Sequence, residues 1–354
     1  AAGLYYLQEP SAMLPAVMAD IRPGMRVLDL CAAPGGKSGA AAARLAGEGF
    51  LLANELVPAR ARTLAFTLER LGVVNAAVSC AKPEAVASAF PEYFDVALVD
   101  APCSGEGMFR KDGGAVGEWS EAHVLACANR QRAILESAAL CVRGGGTLVY
   151  STCTFSAEEN ENVVESFLAA HPDFVVERME RLYPHSSVGE GHFAARLTRR
   201  EGGFRPQAAL PLPLCREKGF FAFVEDTFET PPRGEAFALP DGRVTLLAEP
   251  LPAGLGALRV LCAGVVAGES AKGRFQPAHA LFLAAHGGKF RRVLALPAEG
   301  DTLGAYLAGE TVPCPNDWRG WCAVAAGEYP TGFGKAVEGV MKNHIPKGLR
   351  SVSP

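Results

Sequence analysis

Two cysteines stand in short segments whose residues suit chemistry better than packing. Cys103 lies in D-A-P-C-S-G-E-G-M-F-R-K, from Asp100 to Lys111, and Cys153 in S-T-C-T-F, from Ser151 to Phe155. A thiolate is a strong nucleophile towards electron-poor carbon, and a second thiol nearby can assist with the proton that must leave. Each segment follows an apolar run that reads as a strand, so each thiol falls just past a strand's carboxyl end. Adjacent strands are about 4.8 Å apart, close enough for both sulfurs to reach one substrate group. Cys31, Cys127, Cys141, Cys262, Cys314 and Cys322 read instead as inert buried thiols.

A second segment supplies a ligand site. V-L-D-L-C-A-A-P-G-G-K-S, from Val27 to Ser38, is a strand, a turn of small residues and a helix start. The turn Cys31, Ala32, Ala33, Pro34, Gly35, Gly36 lets a ligand approach the backbone. The helix N-terminus at Lys37 favours an anionic group such as a carboxylate. A phosphate-binding GxxxxGK[ST] loop is spoiled, because Cys31 occupies its first glycine position, and no GxGxxG is present. Glu55 ends the second strand in A-N-E, where an acid can accept hydrogen bonds from both ribose hydroxyls of a nucleoside. A nucleoside without phosphates fits this pair of features, and S-adenosyl-L-methionine is such a molecule.

Beside a methyl donor, two thiols suit carbon 5 of cytosine. That carbon is a poor nucleophile in the neutral ring. A thiolate adding at carbon 6 makes it enamine-like and able to attack a sulfonium methyl. The carbon 5 proton must then leave so that the thiolate can be expelled. Asp100 is placed to hydrogen-bond the exocyclic amine or N3, selecting cytosine over uracil. The base must be unpaired or flipped for carbon 6 to be reached.

The elements that would hold these residues alternate along the first two hundred positions. The patterns predict a helix over Gln8–Asp20 and strands over Arg26–Leu30, Phe50–Asn54, Ala76–Ser79, Phe94–Val99 and Thr147–Tyr150. Between them fall a helix from Lys37, helices over Pro58–Leu71 and Glu121–Cys141, and a glycine turn at Gly144–Gly146. A helix over Ala157–Ala170 opens with a capping box in which Ser156 caps and Glu159 reaches back. Phe174–Glu177 and His192–Leu197 could complete a parallel sheet of order 3-2-1-4-5. Around Arg199–Pro213 the chain turns to Arg, Gly and Pro, which reads as a linker, and short strand-like runs follow.

Bulk properties narrow the classes. Hydrophobic residues make up 49% and charged ones 20%, which argues against wholesale disorder. No apolar run approaches the ~20 residues of a membrane span, and no leader of signal-peptide type opens the chain. The chain starts at Ala1 without Met, from which a missing N-terminal piece is expected. Ten cysteines without a CxxC pair or zinc spacing read as reduced thiols of a cytoplasmic protein with no metal. With a net charge of −4, any nucleic-acid contact must come from local patches, such as Lys335, Lys342, Lys347 and Arg350 against the single acid Glu338 near the C-terminus.

Taken in order, these segments resemble the NOL1/NOP2/Sun family of RNA cytosine-C5 methyltransferases, especially its bacterial RsmF type, which acts on 16S ribosomal RNA. The resemblance runs almost end to end, through A-G-L-Y-Y-L-Q-E-P-S-A-M, the small-residue turn, both cysteine segments, Y-S-T-C-T-F-S-A-E-E-N-E, Y-P-H, G-E-G-H-F and K-G-R-F-Q-P-A-H-A-L. It implies a seven-stranded, doubly wound Rossmann-like α/β methyltransferase sheet over residues 1–200. Residues 201–250 would be a linker and intermediate segment, and residues 251–354 a PUA-like RNA-binding domain. It further implies that Cys153 attacks carbon 6 and Cys103 assists release, with Cys31–Lys37, Glu55 and Asp100 lining the cofactor and base site. The implied partner is RNA, ribosomal and within the small subunit, with no DNA and no membrane, bound by a cytoplasmic monomer engaged in rRNA processing.

The chain departs from the family where an acid usually follows the third strand to contact the adenine. S-C-A-K-P places Lys82 there, which cannot accept a hydrogen bond. It also begins at the family's first shared motif, where a further N-terminal segment usually helps hold RNA. Two rival readings remain at this point. In a DNA cytosine-C5 methyltransferase the thiol after Pro102 would attack, but Glu161 and Asn162 fall in a helical pattern and S-T-C-T-F would have no role. A non-catalytic RNA-binding or ribosome-assembly factor would not bind S-adenosyl-L-methionine.

Overall fold

A computed structural model describes residues 4–350 apart from 112, 272–273 and 285–287. The first two residues of the A-G-L-Y-Y-L-Q-E-P-S-A-M segment, and the first two of K-G-R-F-Q-P-A-H-A-L, therefore lie outside the described residues.

The seven expected strands form one sheet. They are β1 (Arg26–Asp29), β2 (Phe50–Asn54), β3 (Ala76–Ser79), β4 (Phe94–Asp100), β5 (Val142–Thr152), β6 (Phe174–Leu182) and β7 (His192–Arg199). Their order is β3-β2-β1-β4-β5-β7-β6, with β1 to β5 parallel and β7 antiparallel to both neighbours. An eighth strand, Val260–Ala263, comes from far along the chain and pairs antiparallel with β3 at the sheet's edge.

Strand residues alternate between two buried faces, which is why these runs are apolar throughout rather than every second residue. Leu28, Leu52, Ala97 and Leu148 face a core built with Phe90 and with Ile134, Leu135 and Ala138 of the helix Glu121–Cys141. Val27, Leu51, Val96 and Leu98 face the other core, against the helices Gly36–Leu45 and Pro58–Arg70. The helix Glu121–Cys141 starts where the Ser120 side chain accepts the His123 N–H.

Local departures from the sequence patterns have identifiable causes. The helix expected over Gln8–Asp20 shrinks to a 3-10 turn, Ser11–Met13, and a short α-helix, Leu14–Met18. Pro10 disfavours a helical Glu9, and the Glu9 carboxylate takes the N–H groups of Ser11 and Ala12. The glycine turn at Gly144–Gly146 is an irregularity inside β5, whose register against β4 jumps from Val142 opposite Phe94 to Thr147 opposite Val96. A Cβ on Gly144 would lie 2.2 Å from the Gly202 carbonyl oxygen, so glycine is required there. The capping box is absent: the helix begins at Glu161, Ser156 Oγ donates to Glu158, and Glu159 turns inward. A helix over Pro83–Ala89 was not expected, although proline in a first helical turn is favourable.

Past β7 the chain runs irregularly to the helix Lys218–Thr227 and then into strands, as the short apolar runs predict. Glu235–Ala238, Arg243–Leu247, Val265–Ala271 and Arg274–Pro277 make a four-stranded antiparallel sheet. A five-stranded sheet gathers Val293–Leu296, Gly320–Ala326, Tyr329–Val337, Val340–Asn343 and Val312–Pro313. A shared core joins them, in which the Phe282 ring, on the helix His279–Leu283, stacks on Phe333 of the five-stranded sheet 4.5 Å away. Among the described residues no helix is long and apolar enough to cross a membrane.

Candidate active site

The carboxyl ends of β4 and β5 are neighbours, with Asp100 opposite Ser151, and the chain segments beyond them carry the two thiols. The sulfur atoms of Cys103 and Cys153 are 3.2 Å apart. The two segments are tied to each other by short bonds. Gly107 N–H donates to the Cys153 carbonyl at 2.8 Å, and the hydroxyls of Ser104 and Thr154 share a hydrogen bond of 2.9 Å. Glu159 is 0% exposed, and its carboxylate accepts the Ser104 N–H at 3.0 Å and the Gln131 side-chain amide at 2.7 Å. The same amide also donates to the Pro102 carbonyl at 3.0 Å. The peptide on either side of Cys103 is thus clamped by a buried acid from beyond β5 and an amide from the long helix.

The two thiols are electrostatically unlike. The hydrogen bond from Cys103, helped by the Lys37 charge, lowers the Cys153 thiol below its ordinary value despite burial. The same bond and burial push Cys103 well up, and the nearby Glu159 adds to the rise. Of the two, Cys153 is therefore the thiol that gives up its proton first, with Cys103 as the donor beside it. Burial is the largest influence on the Asp100 carboxyl and would raise it, but the Lys37 ammonium and the adjacent His192 ring together prevail and hold it below the usual carboxylate range. Lys37 Nζ lies 2.8 Å from Asp100 Oδ2, and Ser151 Oγ donates to Oδ1 at 2.8 Å. Lys37 is only 7% exposed while the Asp100 side chain keeps 32% of its surface open, so the pair is partly shielded from salt.

Both features open on one pocket of about 280 Å³. Cys31, Ala32, Ala33, Pro34, Gly36 and Lys37 line one part of it, and Asp100, Cys153 and His192 another. The irregular segment Tyr6–Glu9 covers it. Glu9 fixes that roof by accepting the Glu190 N–H at 2.8 Å, while Ser11 Oγ accepts the Gly191 N–H at 3.1 Å. Gly35, at φ +112°, passes so close to the helix Pro58–Arg70 that a Cβ would lie 2.8 Å from Thr67 Cγ2. Glu190 in turn pairs with Arg110 at 2.8 Å, which draws the end of the Cys103 segment over the pocket.

Of the residues singled out from sequence, the structure brings Cys31, Ala32, Ala33, Pro34, Gly36, Lys37, Asp100 and Cys153 to this pocket. Cys103 stands behind Cys153, and Gly35 turns the loop without lining it. Glu55 is buried at the end of β2, where it accepts the Val57 N–H at 2.9 Å and faces Arg60 at 3.5 Å. Lys82 is exposed and immediately precedes the helix Pro83–Ala89.

Three residues at or behind the pocket have no site role in the sequence pattern read above. Asp29, inside the quoted turn segment, lines the pocket; burial raises its carboxyl to about 7, with Ser38 Oγ donating to one oxygen at 2.6 Å and the other unpartnered. Glu159 reads from sequence as a helix cap, and nothing in E-E-N distinguishes an inward acid from a solvated one. His192 sat inside G-E-G-H-F without a role. The signal that could find it is its place at the start of a strand whose neighbour, β5, ends at Thr152, just before Cys153.

At the C-terminus, the Lys335 ammonium lies 5.4 Å from the Trp321 ring centroid, with the His344 ring 4.7 Å away on the same indole and Lys342 opposite Lys335 in register. Arg350 instead turns inward, donating to the Ile345 carbonyl.

Comparison with known proteins gives a consistent result. The family model described as 16S rRNA methyltransferase RsmB/F matches residues 16–198, that of the RsmF rRNA methyltransferase first C-terminal domain residues 222–284, and that of the methyltransferase RsmF PUA domain residues 293–351. Ribosomal RNA small subunit methyltransferase F of Serratia proteamaculans is 34% identical over 98% of this chain and 78% of its own length. The protein of that name from Erwinia tasmaniensis is 42% identical over 55% of this chain, and the one from Klebsiella pneumoniae 40% identical over 62%. In those two the matched stretch spans about half of each relative, 45% and 49%. Among solved structures, NSun6 from Pyrococcus horikoshii with SFG is 29% identical with a TM-score of 0.51, covering 55% of this chain and 53% of that one. With a family model over more than half its residues and a relative aligned along nearly its whole length, the chain belongs to the 16S rRNA methyltransferase RsmB/F family.

Proposed function

We propose that this chain methylates carbon 5 of cytosine in 16S ribosomal RNA in the cytoplasm, using S-adenosyl-L-methionine and a covalent bond between Cys153 and carbon 6. One observation carries the reading: two sulfurs 3.2 Å apart, of unlike acidity, with Cys153 opening on the pocket of the small-residue turn.

The pocket suits the cofactor. Asp29 presents a buried, unpartnered oxygen there, and a Cβ on Gly36 would come within 3.0 Å of Tyr6 and Gln8, narrowing the space between turn and roof. The backbone of residues 31–36, Asp29, Lys37 and Glu55 would hold it, and when bound it supplies an electrophilic methyl group on a sulfonium. Asp100, kept ionised by Lys37, accepts a hydrogen bond from the exocyclic amine of the base.

Cys153 forms the bond to carbon 6, and the ring's double-bond electrons move to carbon 5, which takes the methyl group. Once Cys153 is bonded to carbon, its negative charge is gone and with it the main cause that raises Cys103. Cys103 then loses its proton to solvent more easily, and as a thiolate takes the proton from carbon 5. The electrons of that bond restore the ring double bond, the carbon–sulfur bond breaks, and Cys153 leaves as a thiolate. The PUA-like region, with Trp321, Lys335 and Lys342, is the surface assigned to RNA.

The test is to incubate the full chain with S-adenosyl-L-methionine and 16S RNA, naked or in the small subunit, and map 5-methylcytosine by bisulfite sequencing. Methylated cytosine that disappears in Cys153→Ala supports the proposal. Methyl transfer to another atom, or none to either substrate, defeats it.

A further inference from the structure

His192 is the least accounted-for polar side chain in the pocket. It is 2% exposed, lines the pocket, and neither ring nitrogen has a hydrogen-bond partner among the described residues. Its Nε2 lies 3.5 Å from Asp100 Oδ1, longer than an N–H···O hydrogen bond, and makes none there. A buried polar group left without a partner is costly, and a ligand that completes it removes that cost.

The sheet explains its position. β5 and β7 are antiparallel, with Thr152 opposite Phe193, so His192 stands one step further along, beside Cys153 at the open end of the same ladder. Asp100 ends the strand on the other side of β5. The nucleophile is therefore flanked by a carboxylate and by an imidazole. Burial lowers the His192 ring below its ordinary value and outweighs the opposing pull of Asp100, so the ring is neutral near pH 7. A neutral imidazole offers one N–H donor and one lone pair.

We infer that His192 is a substrate-contacting residue whose imidazole N–H donates to a ring acceptor, N3 or O2, of the pyrimidine held for attack by Cys153. The inference rests on the proposed cytosine reaction and deepens it. The Watson–Crick edge of cytosine sets an amine donor beside ring acceptors. The pocket answers with an acceptor, Asp100, and a donor, His192, at the two sides of one sulfur. Shape and the Asp100 contact alone would leave the ring acceptors unread.

The experiment compares the full chain with His192→Phe and His192→Gln. Phenylalanine fills the space without a donor, and glutamine restores an N–H. Expected for His192→Phe is a drop in kcat/KM for RNA of roughly 10- to 100-fold, with S-adenosyl-L-methionine affinity within about twofold of the parent, measured by calorimetry. His192→Gln should recover most of that loss. Parental activity in His192→Phe, or no recovery in His192→Gln, overturns the inference.

Should His192→Phe fail to fold, nitrogen-15 histidine spectra of Cys153→Ala read the same contact. Substrate RNA should move a His192 ring nitrogen from the unbonded to the hydrogen-bonded range, and an unmoved resonance overturns the inference. The parent serves as the control on the reaction: no 5-methylcytosine in the parent sinks the proposed function, whereas a methylating parent matched by His192→Phe sinks only the role of His192.

Discussion

The sulfurs of Cys103 and Cys153 share one hydrogen bond across the ends of two parallel strands, and that bond lowers the Cys153 thiol while it raises Cys103, so in the proposed reaction the first attacks and the second holds the proton. Removing either partner should therefore produce different failures. Cys153→Ala is expected to abolish methylation and form no RNA adduct. Cys103→Ala should still attack but release slowly, accumulating a covalent protein–RNA species on denaturing gels. An adduct from Cys153→Ala, absent from Cys103→Ala, would reverse the two roles.

Glu159 is predicted to act on turnover through the Cys103 segment without touching a ligand. Glu159→Leu leaves the Ser104 N–H and the Gln131 amide buried without their acceptor, at a cost of about 2 kcal/mol in unfolding free energy. Turnover should fall more than stability accounts for at a temperature where the variant stays folded. Affinity for S-adenosyl-L-methionine should be unchanged, because Glu159 lies outside the pocket lining. Denaturant melts and single-turnover kinetics measure the two effects separately, and parental release kinetics would remove Glu159 from this role.

Acid stability should depend on Asp95. Burial would raise its carboxyl, but hydrogen bonds from Arg26 and Arg143 prevail and bring it down to about 2. Because the folded value lies below the unfolded one, this stabilisation is complete above about pH 4. It is lost as pH falls towards 2, and amounts to about 2 kcal/mol. Asp95→Asn should lower stability at pH 6 and flatten its decline between pH 4 and 2, as followed by urea unfolding at a series of pH values. An unchanged slope would show that the ion pairs are not what acid breaks.

The basic residues near the C-terminus should govern salt sensitivity. Neutralising Lys342 and Lys347 is expected to weaken RNA binding and reduce the slope of log affinity against log salt by about 0.7 per lost phosphate contact. Fluorescence anisotropy from 50 to 300 mM salt provides the measurement; an unchanged slope removes these lysines from the contact surface. Arg350, engaged with the Ile345 carbonyl, should matter less.

The legible part of this molecule was local. The runs V-L-D, F-L-L-A-N and F-D-V-A-L-V-D are apolar because both faces of the central strands are covered, and their brevity marks them as parallel strands. Cys103 and Cys153 could be placed at adjacent strand ends by chain order alone. What stayed hidden depends on distant partners. Glu159 looks like a helix cap until Ser104 and Gln131 are seen beside it. The Glu9 carboxylate fixes where the first helical turn starts by accepting the Ser11 and Ala12 N–H groups, and it also holds the Glu190 N–H, which no period in the sequence reports. V-L-C-A at 260–263 carries no sign that its partner is β3, some 180 residues earlier.

That distant strand gives the C-terminal half a second duty. Without Val260–Ala263, the outer rim of β3 would expose a row of unsatisfied amide and carbonyl groups, an open invitation for another copy to anneal there. Truncating the chain before residue 260 would thus do more than remove the strands that follow. It would turn a self-contained sheet into an adhesive one, and the loss would show first as clumping of the protein.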